Sequence, residues 1–368
     1  MHTSGRKIDG FFLTMVGLLT IFGFVIFLSA SLGLLGQSGV SFGSIALKQS
    51  ISLVIGIIAF FFFAKIDNSW VRRSALFVFI GSIAVNLLLF IPKFSIYHGG
   101  AARWLILGPV SFQPSELLKI AFIIYLAAWI YFAKDKIKTF KFGLLPYILI
   151  MIVLSILLLA QSDTDTLVII GGTGIVMLFV AGVPLRHIIT ALLLMAVLVA
   201  GVIYMRPYAL KRVETFWNRA SDTQGAGYQI NQSLIAIGSG QISGRGFGQS
   251  IQKFGYLPQP TDDSIFAVAA EEFGFFGGIG LILAYLLLAS SIFRISMRAS
   301  DSFGSFVAIG VGILIITESF LNMAAMLGIM PLSGVPLLFI SHGGTALIIA
   351  LAATGIVANV SKVSKRTK

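Results

Sequence analysis

Apolar residues run along this chain in long blocks, with polar residues gathered between them. A membrane-crossing helix needs about 20 mostly apolar residues. Ten stretches qualify: 11–32, 47–64, 74–92, 115–132, 143–160, 166–183, 187–205, 264–293, 303–328 and 333–358. The pattern predicts an all-α, polytopic membrane protein of about ten transmembrane helices, forming a single domain over 1–368. The first stretch is too long for a signal-peptide core and no cleavage site follows, so it is expected to stay as an anchor. The 264–293 stretch carries Glu271 and Glu272 and is expected to tilt or break. Between the seventh and eighth stretches lies a long segment, 206–263, and before the fourth a moderate one, 93–114. The longer one holds Trp217, Tyr228, Phe247, Phe254 and Tyr256, too apolar for a disordered linker. It is expected to pack on the mouth of the bundle, partly as re-entrant or interfacial helix.

Composition sharpens this picture. The chain is 57% hydrophobic and 11% charged, where a soluble domain carries about 25% charged residues. Without cysteine, disulfides, thiolate nucleophiles and Cys-based metal sites are excluded. Four scattered histidines argue against a His-rich metal site. The net charge of +12 is explained by sidedness. With both termini cytoplasmic, 16 of the 26 basic residues and only four acids fall on the inner side, and the rest cancel. These cations set topology and meet anionic headgroups, so no nucleic-acid partner is expected.

Ionisable groups at membrane depth are expensive and therefore informative. Arg103 and Trp104 stand at interface level before Pro114, which suits the first turn of a helix. Glu116 and Lys119 are three apart and share a face. They fit a buried ion pair joining helices about as well as a site. Asp163 and Asp165 in Gln161-Ser162-Asp163-Thr164-Asp165-Thr166 fit a short polar turn about as well as a site. The glycines from Gly225 to Gly248 lack the spacing and strand–helix context of a dinucleotide fingerprint. Asp262 and Asp263 precede an apolar helix, whose dipole favours carboxylates there. One cap suffices, so a chemical role is expected for at least one of the two. Glu271, Glu272 and Glu318 need partners or protons. Pro331 to Pro336 and Ser341 to Gly344 break the tenth stretch and place irregular backbone near a cavity. His342 on its own reads as a packing residue.

Four separated blocks carry a resemblance: GGAARWLILGPVSFQPSELLKIA, the long run from GAGYQINQSL to PTDDSIFAVAAEEFGFFG, GIMPLSGVPLLFISHGG, and QSDTDT. Together they resemble the SEDS family (FtsW/RodA/SpoVE) of bacterial cell-wall polymerases, and look closer to the FtsW/SpoVE side. The resemblance implies a peptidoglycan glycosyltransferase that polymerises lipid II at the outer face of the cytoplasmic membrane, with inversion at the anomeric carbon. It implies a class B penicillin-binding protein and other divisome or elongasome membrane proteins as partners. Asp263 matches the family's essential aspartate. Arg103, Trp104, Glu116 and Lys119 match polar positions of the first block, and Glu272 matches a glutamate of the second. Gln232, Ser233 and Lys253, also in the second block, join them as candidate substrate-binding residues. The chain departs from the family pattern at Thr261 and Asp262 (usually His-Thr), at Ser162 and Asp165 (usually proline and glycine), and at His342 (usually tyrosine). Asp262 thereby competes for the role of Asp263.

In this reading Asp263 is the general base on the acceptor's 4-hydroxyl. Arg103 and Lys119 neutralise the leaving diphosphate. A divalent cation, magnesium or manganese, could share that work, and no other cofactor is expected. Two rival classes remain: a flippase or transporter, for which buried acids and broken helices would also serve, and a non-catalytic scaffold for a transpeptidase.

Overall fold

The computed structural model describes residues 7–35, 42–98, 101–107, 110–218 and 225–362. Its helices are α1 (Gly10–Ser31), α2 (Phe42–Phe63), α3 (Asn68–Leu87), α4 (Pro114–Ala133), α5 (Leu144–Ala160), α6 (Thr164–Val180), α7 (Leu185–Met205), α8 (Pro207–Trp217), α9 (Ala226–Ser239), α10 (Ile265–Arg298), α11 (Ser302–Met326) and α12 (Gly344–Lys362). Eight of them are long and apolar enough to cross a membrane, and α5 and α6 follow at 17 residues each. The ten predicted stretches thus fall on ten apolar helices. Short polar turns separate them, and aspartates start several: Asp9, Asp67, Asp163 and Asp301 each accept a bond from a backbone N–H in the first turn of α1, α3, α6 and α11.

Burial divides the helices. Within the most apolar window of α12, 83% of residues are buried, against 17% for α7. Lipid is as apolar as leucine, so a peripheral helix can leave its leucines outside. The polar side chains turn inward, where they find partners. The core is therefore built on α4, α11 and α12, with α10 beside them.

Three features were not legible as apolar blocks. The 93–114 segment forms a three-stranded antiparallel sheet of β1 (Ser95–His98), β2 (Ala101–Leu107) and β3 (Val110–Phe112). Its strands of three to seven residues, amid Gly and Pro, are too short to announce themselves by alternation. The fold is thus helical with one small sheet added. The 206–263 segment holds two helices, α8 and α9, then a turn-rich stretch. The tenth predicted stretch is broken where its Pro and Gly residues indicated: helix starts only at Gly344.

The expected break in α10 falls at Gly274, whose φ is 68° and ψ −163°. The backbone groups freed there are taken up by the segment after α9. Arg245 and Gly246 donate N–H to the carbonyls of Glu271 and Glu272 (3.0 Å each), and Phe275 donates to the Gln241 carbonyl (2.8 Å). Broken helix is tolerated inside a bundle when protein re-satisfies its backbone in this way. The crossing is so close that a Cβ on Gly274 would lie 2.3 Å from the Gly244 nitrogen. Part of the glycine run after α9 therefore serves backbone approach, not ligand binding.

Candidate active site

The turn Thr261-Asp262-Asp263 sits at the start of α10 and is held through its backbone. A turn outside any ladder leaves carbonyls that need donors. His342 N–H donates to the Thr261 carbonyl (2.7 Å), the Ser341 hydroxyl to that of Asp262 (2.8 Å), and the Asn322 amide to that of Asp263 (2.8 Å). Asn322 reaches from α11 and also donates to the Val335 carbonyl (2.9 Å). The irregular 331–343 segment is thus the bracket that fixes the two aspartates.

Neither aspartate caps α10. The position before the helix is Ser264, whose hydroxyl donates instead to the Pro258 carbonyl (2.8 Å). Both carboxylates are left for other work. Asp262 Oδ1 lies 3.3 Å from His342 Nδ1, and the His342 ring stacks on Phe27 of α1. Asp263 is half-buried. Burial and the neighbouring Asp262 push its carboxyl up to about 7, Asp165 adds to this, and Arg212 and Arg103 oppose it. A carboxylate poised there can take a proton at neutral pH.

Two guanidinium groups face this carboxylate. Arg103, on β2, donates from Nη2 to the Ser162 carbonyl, which a left-handed φ of 56° at Ser162 helps to present. Its buried Nε has no protein partner among the described residues. Trp104 follows on the same strand, half-buried. Arg212, on α8, donates from Nη1 to Asp165 Oδ2 (3.0 Å) and from Nη2 to the Tyr208 hydroxyl (2.6 Å). The two aspartates of the QSDTDT block therefore separate in role. Asp163 caps α6 through Thr166, while Asp165 reaches across to Arg212 and also accepts from Gly334 N–H (3.3 Å). Among the described residues no three His, Asp or Glu side chains converge to hold a metal ion.

The other predicted site residues sit elsewhere. Lys119 is buried between Glu116 (2.9 Å) and Glu318, which ties α4 to α11. Its ammonium is taken by two carboxylates: the Glu116–Lys119 ion pair anticipated from their spacing is present and is extended by Glu318. Glu272 pairs with Lys253 (2.7 Å), and both are bonded to Ser29 of α1, all of them fully buried. Glu272 lies nine residues past Asp263, roughly 13 Å along the helix. Through these contacts Glu272 and Lys253 join the 240–255 segment to α1 and α10. Glu271 completes that junction with Ser239, Ser250 and two backbone N–H groups. Ser233 is fully buried and bonds the Gln229 carbonyl (2.8 Å), packing α9 on Met326. Gln232 beside it is half-buried. Neither of these two has a bond to the Asp263 group.

Sequence reasoning missed Arg212 and Asn322. The available signal for Asn322 was a polar residue one turn from Glu318 in an apolar helix. For Arg212 there was none, since its partner Asp165 lies 47 residues away.

An apolar helical bundle whose acidic and basic side chains gather between helices and against an irregular segment defines a multi-pass membrane protein. The chain belongs to the FtsW/RodA/SpoVE family, described as cell cycle protein, which matches residues 10–366. It is 37% identical over 360 residues to a probable peptidoglycan glycosyltransferase FtsW of a Geobacter species, covering 97% of this chain and 98% of that one. It is 37% identical over 321 residues to stage V sporulation protein E of Bacillus subtilis, covering 87% of each. Among solved structures it resembles a chain from work titled "Structural coordination of polymerization and crosslinking by a peptidoglycan synthase complex", with a TM-score of 0.78, 25% identity and coverage of 98% and 99%.

Proposed function

We propose that this protein is a peptidoglycan glycosyltransferase that polymerises lipid II into glycan strands. The reading places Asp263 at the outer face of the bacterial cytoplasmic membrane, with both termini in the cytoplasm and the basic residues inside. Its partner is a class B penicillin-binding protein, within a divisome or elongasome assembly.

The observation that carries this reading is the Asp263 carboxylate, left free of the α10 cap and set among the charges of Asp262, Asp165, Arg212 and Arg103. In the reaction, the acceptor's 4-hydroxyl oxygen attacks the donor's anomeric carbon from the face opposite its diphosphate. The new C–O bond forms as the bond from that carbon to the diphosphate oxygen breaks. The electron pair leaves on the lipid diphosphate, and the proton of the acceptor hydroxyl passes to Asp263. General-base help of this kind is worth roughly 10²–10⁴-fold. In this reading Arg103 offsets the developing phosphate charge; its buried Nε–H has no partner among the described residues. Magnesium or manganese arriving with the substrate would be held mainly by phosphate oxygens and water, and the steps above rest on the chain's own residues.

Of the acids that would have favoured a proton-coupled carrier, Glu271 and Glu272 are hydrogen-bonded through both carboxylate oxygens, and Glu318 is paired with Lys119 through one. The test is polymerisation of purified lipid II by the full chain, alone and with its penicillin-binding partner. Asp263→Asn is expected to remove polymer while leaving the folded protein intact. Normal polymerisation by that variant would point to a scaffold or carrier.

A further inference from the structure

The exposed backbone at Gly334 marks an open spot between three charges. A methyl group there would lie 3.7 Å from Arg212 Nη2, 3.9 Å from Asp165 Oδ2 and 4.0 Å from Asp263 Oδ2. Nothing in that spot clashes, and Gly334 is open to solvent. The guanidinium of Arg212 therefore faces the same small space as the Asp263 carboxylate. Its side chain is only 20% exposed, so its field is weakly screened. Among the described residues, two of its five N–H donors are used, by Asp165 and Tyr208, and the fork geometry suits phosphate oxygens. Lys119, the other expected phosphate cation, is sealed between Glu116 and Glu318.

We propose that Arg212, presented by α8 and aimed by Asp165, is a cation that binds the donor's diphosphate beside Asp263. This deepens the glycosyltransferase reading and rests on it. Asp165 acts as a positioning residue: it holds the guanidinium over Gly334 before substrate arrives and shares it afterwards. The phosphate approaches from the solvent-exposed side of Gly334. The group also explains why α8, an otherwise exposed helix, is tied to α6 by a charged contact rather than by apolar packing.

The rival is a purely structural ion pair that docks α8. Removing one anion-stabilising donor from an active site costs roughly 100-fold or more in turnover, so Arg212→Gln is expected to lose about that in kcat/KM on lipid II. Asp165→Asn is expected to lose less, mainly through KM. Charged groups from several elements face Asp263: Asp262 on its own turn, Asp165 on α6, Arg212 on α8 and Arg103 on β2, with His342 behind Asp262. Loss of the cation should therefore move the rising limb of the pH–rate profile to higher pH, and loss of Asp165 should move it to lower pH. Asp165→Arg combined with Arg212→Asp keeps an ion pair between α6 and α8 but exchanges its poles, and is expected not to rescue activity. Gly334→Val, which fills the opening without altering charge, should raise KM. Equilibrium binding of undecaprenyl diphosphate to the full chain should weaken about tenfold in Arg212→Gln, and this readout stands even if no polymer forms.

Wild-type protein that makes no polymer with its partner present would sink the glycosyltransferase reading, while the binding measurement would still decide the role of Arg212. Unchanged diphosphate binding by Arg212→Gln, rescue by the exchanged pair, or identical pH limbs in the two single variants would overturn the proposal.

Discussion

The chain carries two kinds of charged cluster, and they behave oppositely. In the Glu116–Lys119–Glu318 and Lys253–Glu272 groups the charges are buried and enclosed by their partners. In the group around Asp263, three carboxylates and two guanidiniums share a half-open cleft. The first arrangement fixes helices, because a buried ion in a low-dielectric bundle has to stay with its partner. The second leaves carboxylate and guanidinium groups unfinished, so a substrate can complete them. Residue type does not separate the two kinds; closure does.

The sharpest way to break this contrast is to remove one partner from each kind. Lys119→Met strands two buried carboxylates and should destabilise the protein by about 3–5 kcal/mol, as loss of one member of a buried pair does. Thermal unfolding of the detergent-solubilised chain reads this directly. A Lys119→Met protein of normal stability with lost diphosphate binding would return Lys119 to the site. Asp263→Asn should do the reverse, abolishing turnover without loss of stability.

A smaller effect tests the bracket between the two regions. Asn322→Ala leaves the carbonyls of Asp263 and Val335 without their donor. Unsatisfied buried groups cost about 1–3 kcal/mol each. We expect a moderate loss of stability together with a fall in kcat, because the carboxylate's turn loosens. Stability loss without any change in kcat would show that the bracket is not needed for aim.

The mildest test is pH. A general base with its carboxyl near 7 must be ionised to work, so the polymerisation rate should climb as pH rises through about 7. Stability has the opposite sign. The folded protein holds the Asp263 proton more tightly than the unfolded chain does. That contribution is fully present below about pH 4, the ordinary carboxylate range, and is lost as pH rises through about 7. Asp263→Asn should flatten this slope, and Asp262→Asn, by removing a like charge, should move the rate limb to lower pH.

Much of the fold was written in the sequence. Blocks of apolar residues fix the helices because backbone in lipid must satisfy itself, and the aspartates in the turns start several of them. Pro331, Pro336 and the glycines near 343 break the tenth stretch as expected, and the last helix starts only at Gly344. The sequence also singled out Asp263 and Arg103. The sheet at 95–112 was hidden, because its strands are too short for alternation to register.

What tertiary structure alone decided is which charges meet. In the sequence Lys119 has Glu116 one turn away and Arg212 stands between Lys211 and Glu214, and neither neighbourhood says which cation stays open. Packing of α4 against α11 encloses Lys119 between two glutamates, whereas the reach of α8 toward α6 sets Arg212 over Gly334 beside Asp263. Glu318 and Asp165 lie 199 and 47 residues from their cations along the chain, beyond the reach of any local pattern. A charge's role depends on its dielectric surroundings and on its nearest opposite charge, and both are properties of the folded bundle.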